Sequence, residues 1–258
     1  MDLGISGKAA FVAASTGGLG LAVARALAAE GVRVAITGRR KEQAARIAAE
    51  LPGAVAVPAD FTCPEGAAAA VDRAEEALAA PVDIAVLNGP GPRPGAAAAT
   101  GADELASAFD LLVRPQHALV SRVLPGMRER RWGRILAVGS SGVVAPLPNL
   151  AVSNTGRAAL AGYLKTLAAE VALDAVTVNL LLPGRIATDR VAELDAAAAK
   201  RRGVAVEDVQ LESRKTIPAR RYGTPEEFGA AAAFLCGAPA SYITGVALRC
   251  DGGLIRSL

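Results

Sequence analysis

The stretch Lys8-Ala9-Ala10-Phe11-Val12-Ala13-Ala14-Ser15-Thr16-Gly17-Gly18-Leu19-Gly20 decides the fold of this chain. Its first half is a short apolar run typical of a buried strand, and a helical pattern begins near Gly18. Glycines between the two let the chain turn sharply and let backbone N–H groups face outward at the helix start. A strand, a glycine turn and a helix are the first elements of a βαβ unit. In such a unit the turn can bind a phosphate group; the alternative is a turn that binds no ligand.

The same alternation continues along the chain, where short β-rich runs are separated by Ala-rich segments of helical period. This order predicts a parallel sheet with helices on both faces. Strands are predicted at Lys8–Ala13, Val32–Thr37, Ala54–Pro58, Val82–Leu87, Gly133–Val138, Val176–Leu182 and Val246–Arg249. Helices are predicted to begin near Gly18, Arg40, Glu65, Asp103, Val152 and Pro225. The fold class is therefore α/β, a doubly wound parallel sheet of about seven strands.

Composition limits the classes of protein to which the chain can belong. Its 258 residues are 52% hydrophobic, so we expect one domain over residues 1–258. The net charge is only +3 and no basic run is interleaved with aromatic residues, so we expect no nucleic acid partner. Apolar stretches end well short of about 20 residues, so we expect no membrane span. Cys63, Cys236 and Cys250 are odd in number and have no metal-ligand spacing; together with the lack of a leader they predict a cytoplasmic protein without a metal site.

Further motifs make the chain resemble the short-chain dehydrogenase/reductase family, near its 3-oxoacyl-[acyl-carrier-protein] reductase-like members. That family opens with Thr-Gly-x-x-x-Gly-x-Gly, and this chain keeps Gly18 and Gly20 but has Ala13 and Ala14 at the first two positions. The tail matches best, in Gly223–Glu227, Ser241–Gly245 and Asp251–Gly253. The resemblance implies a Rossmann-type fold and a small substrate lid at about 190–216. It also implies a homo-oligomer, a tetramer or dimer, built through the segments Asp103–Arg130 and Val152–Leu173 and the last strand.

The resemblance also implies which residues bind a nicotinamide dinucleotide. They follow the carboxyl ends of the strands and are Ala14, Ser15, Thr16, Gly18, Leu19, Gly20, Asp60, Phe61, Asn88, Gly89, Arg157, Pro183, Gly184, Ile186 and Thr188. Asp60 is expected to hold the adenine. If φ is positive at Ala14, its methyl group costs about 1 kcal/mol, which weakens binding at most.

The choice of cofactor is predicted from Thr37-Gly38-Arg39-Arg40, at the end of the second strand. An NAD site has an acid here for the ribose 2′-hydroxyl, whereas a 2′-phosphate requires that acid to be absent and favours arginine. We therefore predict NADP, with Arg39 the better candidate for the phosphate and Arg40 beside it. The alternative is NAD, with the arginines as a solvated helix start.

The catalytic positions depart from the family. The resemblance implies four catalytic residues. A Ser orients the carbonyl, a Tyr-x-x-x-Lys pair supplies the proton, and an Asn holds a water. Ser140 matches the Ser, but Ser153 and Arg157 stand at the Tyr and Lys positions, and Leu112 stands at the Asn position. The family's proton relay is therefore absent from the sequence.

Ser153 and Arg157 lie at i and i+4, so they share one helix face and can point into one cleft. A Ser hydroxyl donates one hydrogen bond, and an arginine fork can hold ribose hydroxyls or a substrate carboxylate or phosphate. The alternative is that Arg157 pairs locally and Ser153 has no role. By the same resemblance Arg93 and Arg114 lie near the cleft, and with Arg185 they can make it attractive to anions, although each alone is more typical of solvated charge.

Two functions remain open. The first is an atypical oxidoreductase that reduces a small carbonyl substrate, 3-oxoacyl-type or another ketone, with NADP(H), at a Ser140, Ser153 and Arg157 site. The alternative is a catalytically inactive NADP(H)-binding homologue that acts as a sensor or assembly partner. Fold analogy does not name the substrate.

Overall fold

The computed structural model describes residues 1–257, so Leu258 lies outside the described residues. Strands and helices alternate as predicted. The strands are β1 Ala9–Val12, β2 Arg33–Gly38, β3 Val55–Pro58, β4 Ile84–Leu87, β5 Gly133–Val138, β6 Val176–Pro183 and β7 Ala247–Cys250. The helices are α1 Gly18–Ala29, α2 Lys41–Glu50, α3 Pro64–Leu78, α4 Ala102–Leu112, α5 Arg114–Glu129, α6 Ala151–Val171, α7 Asp189–Arg202, α8 Val206–Thr216 and α9 Pro225–Cys236.

The strands form one seven-stranded sheet in the order β3-β2-β1-β4-β5-β6-β7. Every neighbouring pair is parallel, so all the carboxyl ends lie along one edge. The order reverses between β1 and β4, and open sheets of this kind bind ligands in the crevice at such a reversal. The glycine turn after β1 lies at this point.

Helices cover both faces of the sheet, as the predicted fold class requires. One buried cluster joins the sheet to α3, α5 and α6, and the other joins it to α1, α2 and α9. Because both faces are buried, strands such as β4 and β5 are apolar or fully buried along their whole length. The core thus holds the carboxyl edge of the sheet rigid beneath the candidate site.

Local sequence signals set the helix ends. The Thr224 hydroxyl accepts a hydrogen bond from the Glu227 N–H, and the Glu227 carboxylate accepts one from the Thr224 N–H.

The segment Asp103–Arg130, predicted without a break, is instead two helices that meet at Val113. Pro115 explains the break, because it has no N–H to continue the helical hydrogen bonds.

A close contact between α4 and α6 surrounds Gly156. A Cβ atom at this position would lie 2.8 Å from the carbonyl oxygen of Ala108 and 2.8 Å from a methyl group of Leu112. Leu112 itself is buried, with 5% of its surface exposed. The family's Asn position is therefore occupied by an apolar side chain that packs where α6 has no side chain.

Within residues 1–257, no helix combines the length and apolar character needed to cross a membrane. The same residues contain no group of three or more His, Cys, Asp or Glu side chains that could hold a metal ion.

Two glycines of α6 provide a matched test of this packing. Gly156→Ala forces a methyl group against Ala108 and Leu112, so we expect it to lower the free energy of unfolding by about 1–3 kcal/mol. Gly162 is exposed on the same helix and has nothing within 4 Å of its added Cβ. Gly162→Ala should raise that free energy by roughly 0.5–1 kcal/mol, because alanine is the better helix former. Urea unfolding measures both, and an equal effect of the two substitutions would refute the close contact.

Candidate functional site

The glycine turn is held in place by hydrogen bonds to the sheet. The Ser15 hydroxyl donates to the carbonyl of Val12 at 2.8 Å, and the Ser15 N–H donates to the carbonyl of Thr37 at 2.8 Å. Ala14 has a φ of 49°, the left-handed conformation in which its methyl group is unfavourable. The positive φ considered in the sequence analysis is therefore present, and the turn keeps its shape in spite of the methyl group.

Asn88 ties β4 to this turn. Its side-chain amide donates to the carbonyl of Ala14 at 3.4 Å, and a Cβ at Gly20 would lie 2.5 Å from that same carbonyl. Gln116 on α5 donates from its amide to the carbonyl of Asn88 at 3.2 Å. The Gln116 amide oxygen is buried and accepts no hydrogen bond from the described residues. The turn thus depends on a glycine at position 20 and on two side-chain amides.

The start of α1 fits the diphosphate of a dinucleotide. No side chain caps this helix, so its first N–H groups point outward, and a Cβ at Gly18 would meet nothing within 4 Å. A helix N-terminus with free N–H groups and open space before it favours an anion. Ser15 and Thr16 are buried behind the turn, so their side chains support it while Gly18, Leu19 and Gly20 present backbone.

Two arginines lie at the end of β2. Arg40 donates to the Thr16 hydroxyl at 3.1 Å and to the Thr16 carbonyl at 3.3 Å, so its guanidinium lies over the glycine turn. Arg39 is exposed and lowers the pKa of Asp60 slightly, after the larger effect of hydrogen bonds from Thr62. A Cβ at Gly38 would lie 2.9 Å from the Thr16 methyl group. A side chain at the position where an NAD site has its acid would therefore have to displace that of Thr16.

The remaining predicted cofactor residues follow β3 and β6. Asp60 is exposed, and one of its oxygens accepts both hydrogen bonds from Thr62, which leaves the other oxygen free. The Phe61 ring is buried against the ring of Phe11, so only its backbone can face a ligand. Gly89 follows Asn88 and lies against the Gln116 amide.

After β6, the chain turns along the same edge. A Cβ at Gly184 would lie 2.7 Å from Asp251, which explains the glycine after Pro183. Gly223 pairs with Ile186 through the Ala187 N–H and the Arg185 carbonyl. Ile186 therefore keeps its own N–H for another partner, and the Thr188 hydroxyl lies beside it at 3.4 Å from its carbonyl oxygen.

The three predicted catalytic residues lie on β5 and α6. Ser140 lies two residues after the end of β5, and its oxygen accepts a hydrogen bond from the Gly142 N–H at 3.1 Å, which leaves the hydroxyl proton free to donate. Arg157 on α6 donates from Nη1 to the carbonyls of Val138 and Gly139, each at 3.1 Å. These contacts bring Arg157 to the residues just before Ser140. Ser153 lies one helical turn before Arg157 on the same face.

Arg157 forms no ion pair within residues 1–257. Burial lowers the pKa of its guanidinium, and no carboxylate acts against this shift. The group is held by two carbonyl dipoles alone. The prediction that Arg157 pairs locally is thus met in part, by neutral oxygens and not by an acid.

Arg114 and Arg185 do not add free charge to the cleft, contrary to one expectation from the sequence. Arg185 donates to Asp195 at 2.8 Å, and this carboxylate is only 1% exposed and also accepts from the Tyr222 hydroxyl at 2.9 Å. Arg114 pairs with Asp110 at 2.9 Å. Both charges are neutralised, and Asp195 fixes α7, within the predicted lid segment 190–216, to the loop before α9.

Sequence reasoning missed two supporting side chains. The Asn154 amide donates to the Leu147 carbonyl at 2.9 Å and accepts from the Leu147 N–H at 3.3 Å, which fixes the loop after β5 over the site. Gln116 was missed because a buried Gln inside a helix carries no motif. Asn154 lies between Ser153 and Arg157, and this position was the one feature of the sequence that could have indicated its role.

Comparison with known proteins shows the family of the chain. Residues 13–255 match the family described as Enoyl-(Acyl carrier protein) reductase. Dehydrogenase/reductase SDR family member 4 of Bos taurus is 32% identical over 258 aligned positions, which cover 98% of this chain and 89% of that protein. The structure of L-sorbose reductase from Gluconobacter frateurii, complexed with NADPH and L-sorbose, superposes with a TM-score of 0.93 at 31% identity and covers 100% of both chains.

A third protein extends the comparison to acyl substrates. The 3-ketoacyl-(acyl-carrier-protein) reductase from Brucella melitensis, complexed with NADH, has a TM-score of 0.84 at 31% identity over 97% of this chain and 99% of that one. The fold, the glycine turn and these similarities agree over nearly the whole length of the chain. The chain therefore belongs to the short-chain dehydrogenase/reductase family of oxidoreductases.

Proposed function

We propose that this protein is an NADP(H)-dependent reductase of a small carbonyl compound, with its site at Ser140, Ser153 and Arg157. The observation that carries the proposal is that Arg157 is fixed beside Ser140, at the carboxyl end of β5, while the cofactor turn is preserved. A buried arginine without a counter-charge lowers the stability of the fold. Its presence at this place is better explained by a role in the site than by loss of function alone.

The chemistry is divided between the cofactor and the chain. When bound at the glycine turn, the cofactor would supply the hydride for the carbonyl carbon, and the π electron pair of the carbonyl would move to its oxygen. Ser140 and Ser153 donate hydrogen bonds that orient and stabilise this oxygen. The oxygen takes its proton from water through the Ser153 hydroxyl, because the Tyr position offers no acid that titrates near neutral pH. The products would be an alcohol, the oxidised cofactor and a hydroxide ion, which the solvent neutralises.

NADP is proposed over NAD because of the residues around the end of β2. Arg39 and Arg40 provide two cations for a 2′-phosphate, and position 38, where a 2′-hydroxyl requires an acid, is a glycine crowded by Thr16. Bound NADPH in L-sorbose reductase agrees with this choice, whereas bound NADH in the Brucella melitensis reductase keeps NAD as the alternative.

The lid and the assembly are part of the same proposal. Helices α7 and α8 form the substrate lid, which the Arg185–Asp195 pair holds down.

We further propose a cytoplasmic homo-oligomer, a dimer or tetramer. Leu105 and Phe109 are exposed on α4 beside a groove of about 340 Å³. A monomer in light scattering would contradict the oligomer.

The second candidate is a homologue that binds NADP(H) without hydride chemistry. The close packing of Leu112 on Gly156 favours it, because an apolar contact replaces the polar Asn position. It predicts intact cofactor binding and no turnover.

Cofactor preference is tested by removing the arginines. In Arg39→Ala and Arg40→Ala the 2′-phosphate loses charge-assisted hydrogen bonds of roughly 1.5–3 kcal/mol, so the Kd for NADPH should rise by about 10-fold or more. The Kd for NADH should stay nearly constant. Arg46→Ala, on an exposed position of α2, is the matched control and should change neither. Fluorescence titration measures all four proteins, and equal losses for the two cofactors would show that the arginines do not read the phosphate.

Catalysis is tested at the two adjacent serines. Ser140→Ala removes the hydroxyl that orients the carbonyl, so we expect kcat to fall by about 10²–10³ while NADPH binding is kept. Ser141 is buried beside it, and Ser141→Ala should keep most of the activity. The assay is NADPH oxidation with a panel of ketones, oxo acids and 3-oxoacyl thioesters. If the wild type binds NADPH but oxidises it no faster than buffer does, the reductase is refuted and the second candidate is supported.

A further inference from the structure

Arg157 is a charged group in a place where charges are usually paired. Its residue is only partly exposed, and within residues 1–257 its hydrogen bonds go to the carbonyls of Val138 and Gly139 alone. Carbonyl dipoles satisfy N–H groups but bring no negative charge. A desolvated cation without a counter-charge is unfavourable, so this position is suited to an anion that the protein itself does not supply.

The direction of the guanidinium leaves donors for such an anion. Both protein contacts are made by Nη1, so the Nε and Nη2 N–H groups keep their hydrogen atoms free. Among the described residues, neither nitrogen is both fully buried and without a hydrogen-bond partner, so each keeps some accessible surface. The Nε and Nη2 groups form the side of the fork that binds a carboxylate through two parallel hydrogen bonds.

Two other cations near the cleft are already matched. Asp195 neutralises Arg185, and Asp110 neutralises Arg114. Arg93 is exposed and forms no ion pair among residues 1–257, whereas Arg157 contacts the residue directly before Ser140. An anionic group beside Ser140 would therefore meet Arg157.

We propose that Arg157 binds the carboxylate of the substrate, and that the substrate is a short 2-oxo or 3-oxo acid in its free, ionised form. This inference rests on the proposed function, in which Ser140 orients the carbonyl to be reduced. It assigns Arg157 to the substrate and not to the ribose of the cofactor.

The spacing between the two groups comes from the backbone. Arg157 touches the carbonyl of Gly139, and Ser140 is the next residue, with Cα atoms about 3.8 Å apart. Both groups can therefore act on one small substrate, and the proposal places its carboxylate one or two carbon–carbon bonds from the carbonyl. An ester or thioester of the same acid carries no charge and leaves Arg157 without a counter-ion.

The binding test uses unreactive probes, so it does not depend on turnover. With NADPH saturating, oxamate and malonate should raise the Tm of the wild type, whereas ethyl oxamate and dimethyl malonate should not. Arg157→Met should abolish the shift, and Arg157→Lys should reduce it, because lysine keeps the charge but loses the paired hydrogen bonds. Arg46→Met removes a charge from an exposed position of α2, away from the lid, and should leave the shift unchanged. A carboxylate shift that survives Arg157→Met would overturn the proposal, and so would the absence of a shift.

The turnover test compares acids with their esters. Pyruvate and acetoacetate should oxidise NADPH with a kcat/KM at least about 10-fold above that of methyl pyruvate and methyl acetoacetate, as expected for a charge-assisted pair. Turnover of the esters at an equal or higher rate would refute Arg157 as the carboxylate site but keep the reductase. A carboxylate shift without oxidation of any substrate would keep the anion site and refute the reductase.

Discussion

A guanidinium that lies away from water has to be held by something, and in this protein two carbonyl oxygens hold it. The contacts of Arg157 with Val138 and Gly139 join α6 to the end of β5, next to Ser140. A lysine has one ammonium at the end of a flexible chain, whereas arginine can bind the sheet with one nitrogen and present the others. The change at this position therefore alters what the cleft attracts, because it places a fixed cation with free donors at the centre of the site.

The changes around Arg157 are related by packing. Gly156 has no side chain, so Leu112 can fill the space against α6, where a polar residue would have no partner on that surface. Asn154, two positions earlier, fixes the loop that covers the site. Within 153–157 only Ser153 and Arg157 depart from the family pattern, and Arg157 has partners at the end of β5. The fixed Arg157 favours a rebuilt site, whereas the contact of Leu112 with Gly156 favours a homologue without turnover.

Most of the fold could be predicted because periodicity, helix caps and glycine turns are local signals. The predicted strand bounds lie within two residues of those observed, and the start near Thr224 is a complete capping box. The break at Val113 was missed because a proline in the first turn is compatible with both one helix and two. At the site, the sequence could place Ser140, Ser153 and Arg157 on one edge but not their partners. Asp195 and Gln116 become meaningful only through long-range contacts, which no spacing along the chain reveals.

The most direct test is a crystal structure of the protein with NADPH and oxamate, in which the distance from Arg157 Nη2 to the oxamate carboxylate is measured. The account predicts about 2.7–2.9 Å, with Nη1 still on the carbonyls of Val138 and Gly139 and the oxamate amide carbonyl at Ser140. An Arg157 that instead contacts the nicotinamide ribose, or that leaves the strand for solvent, would contradict it.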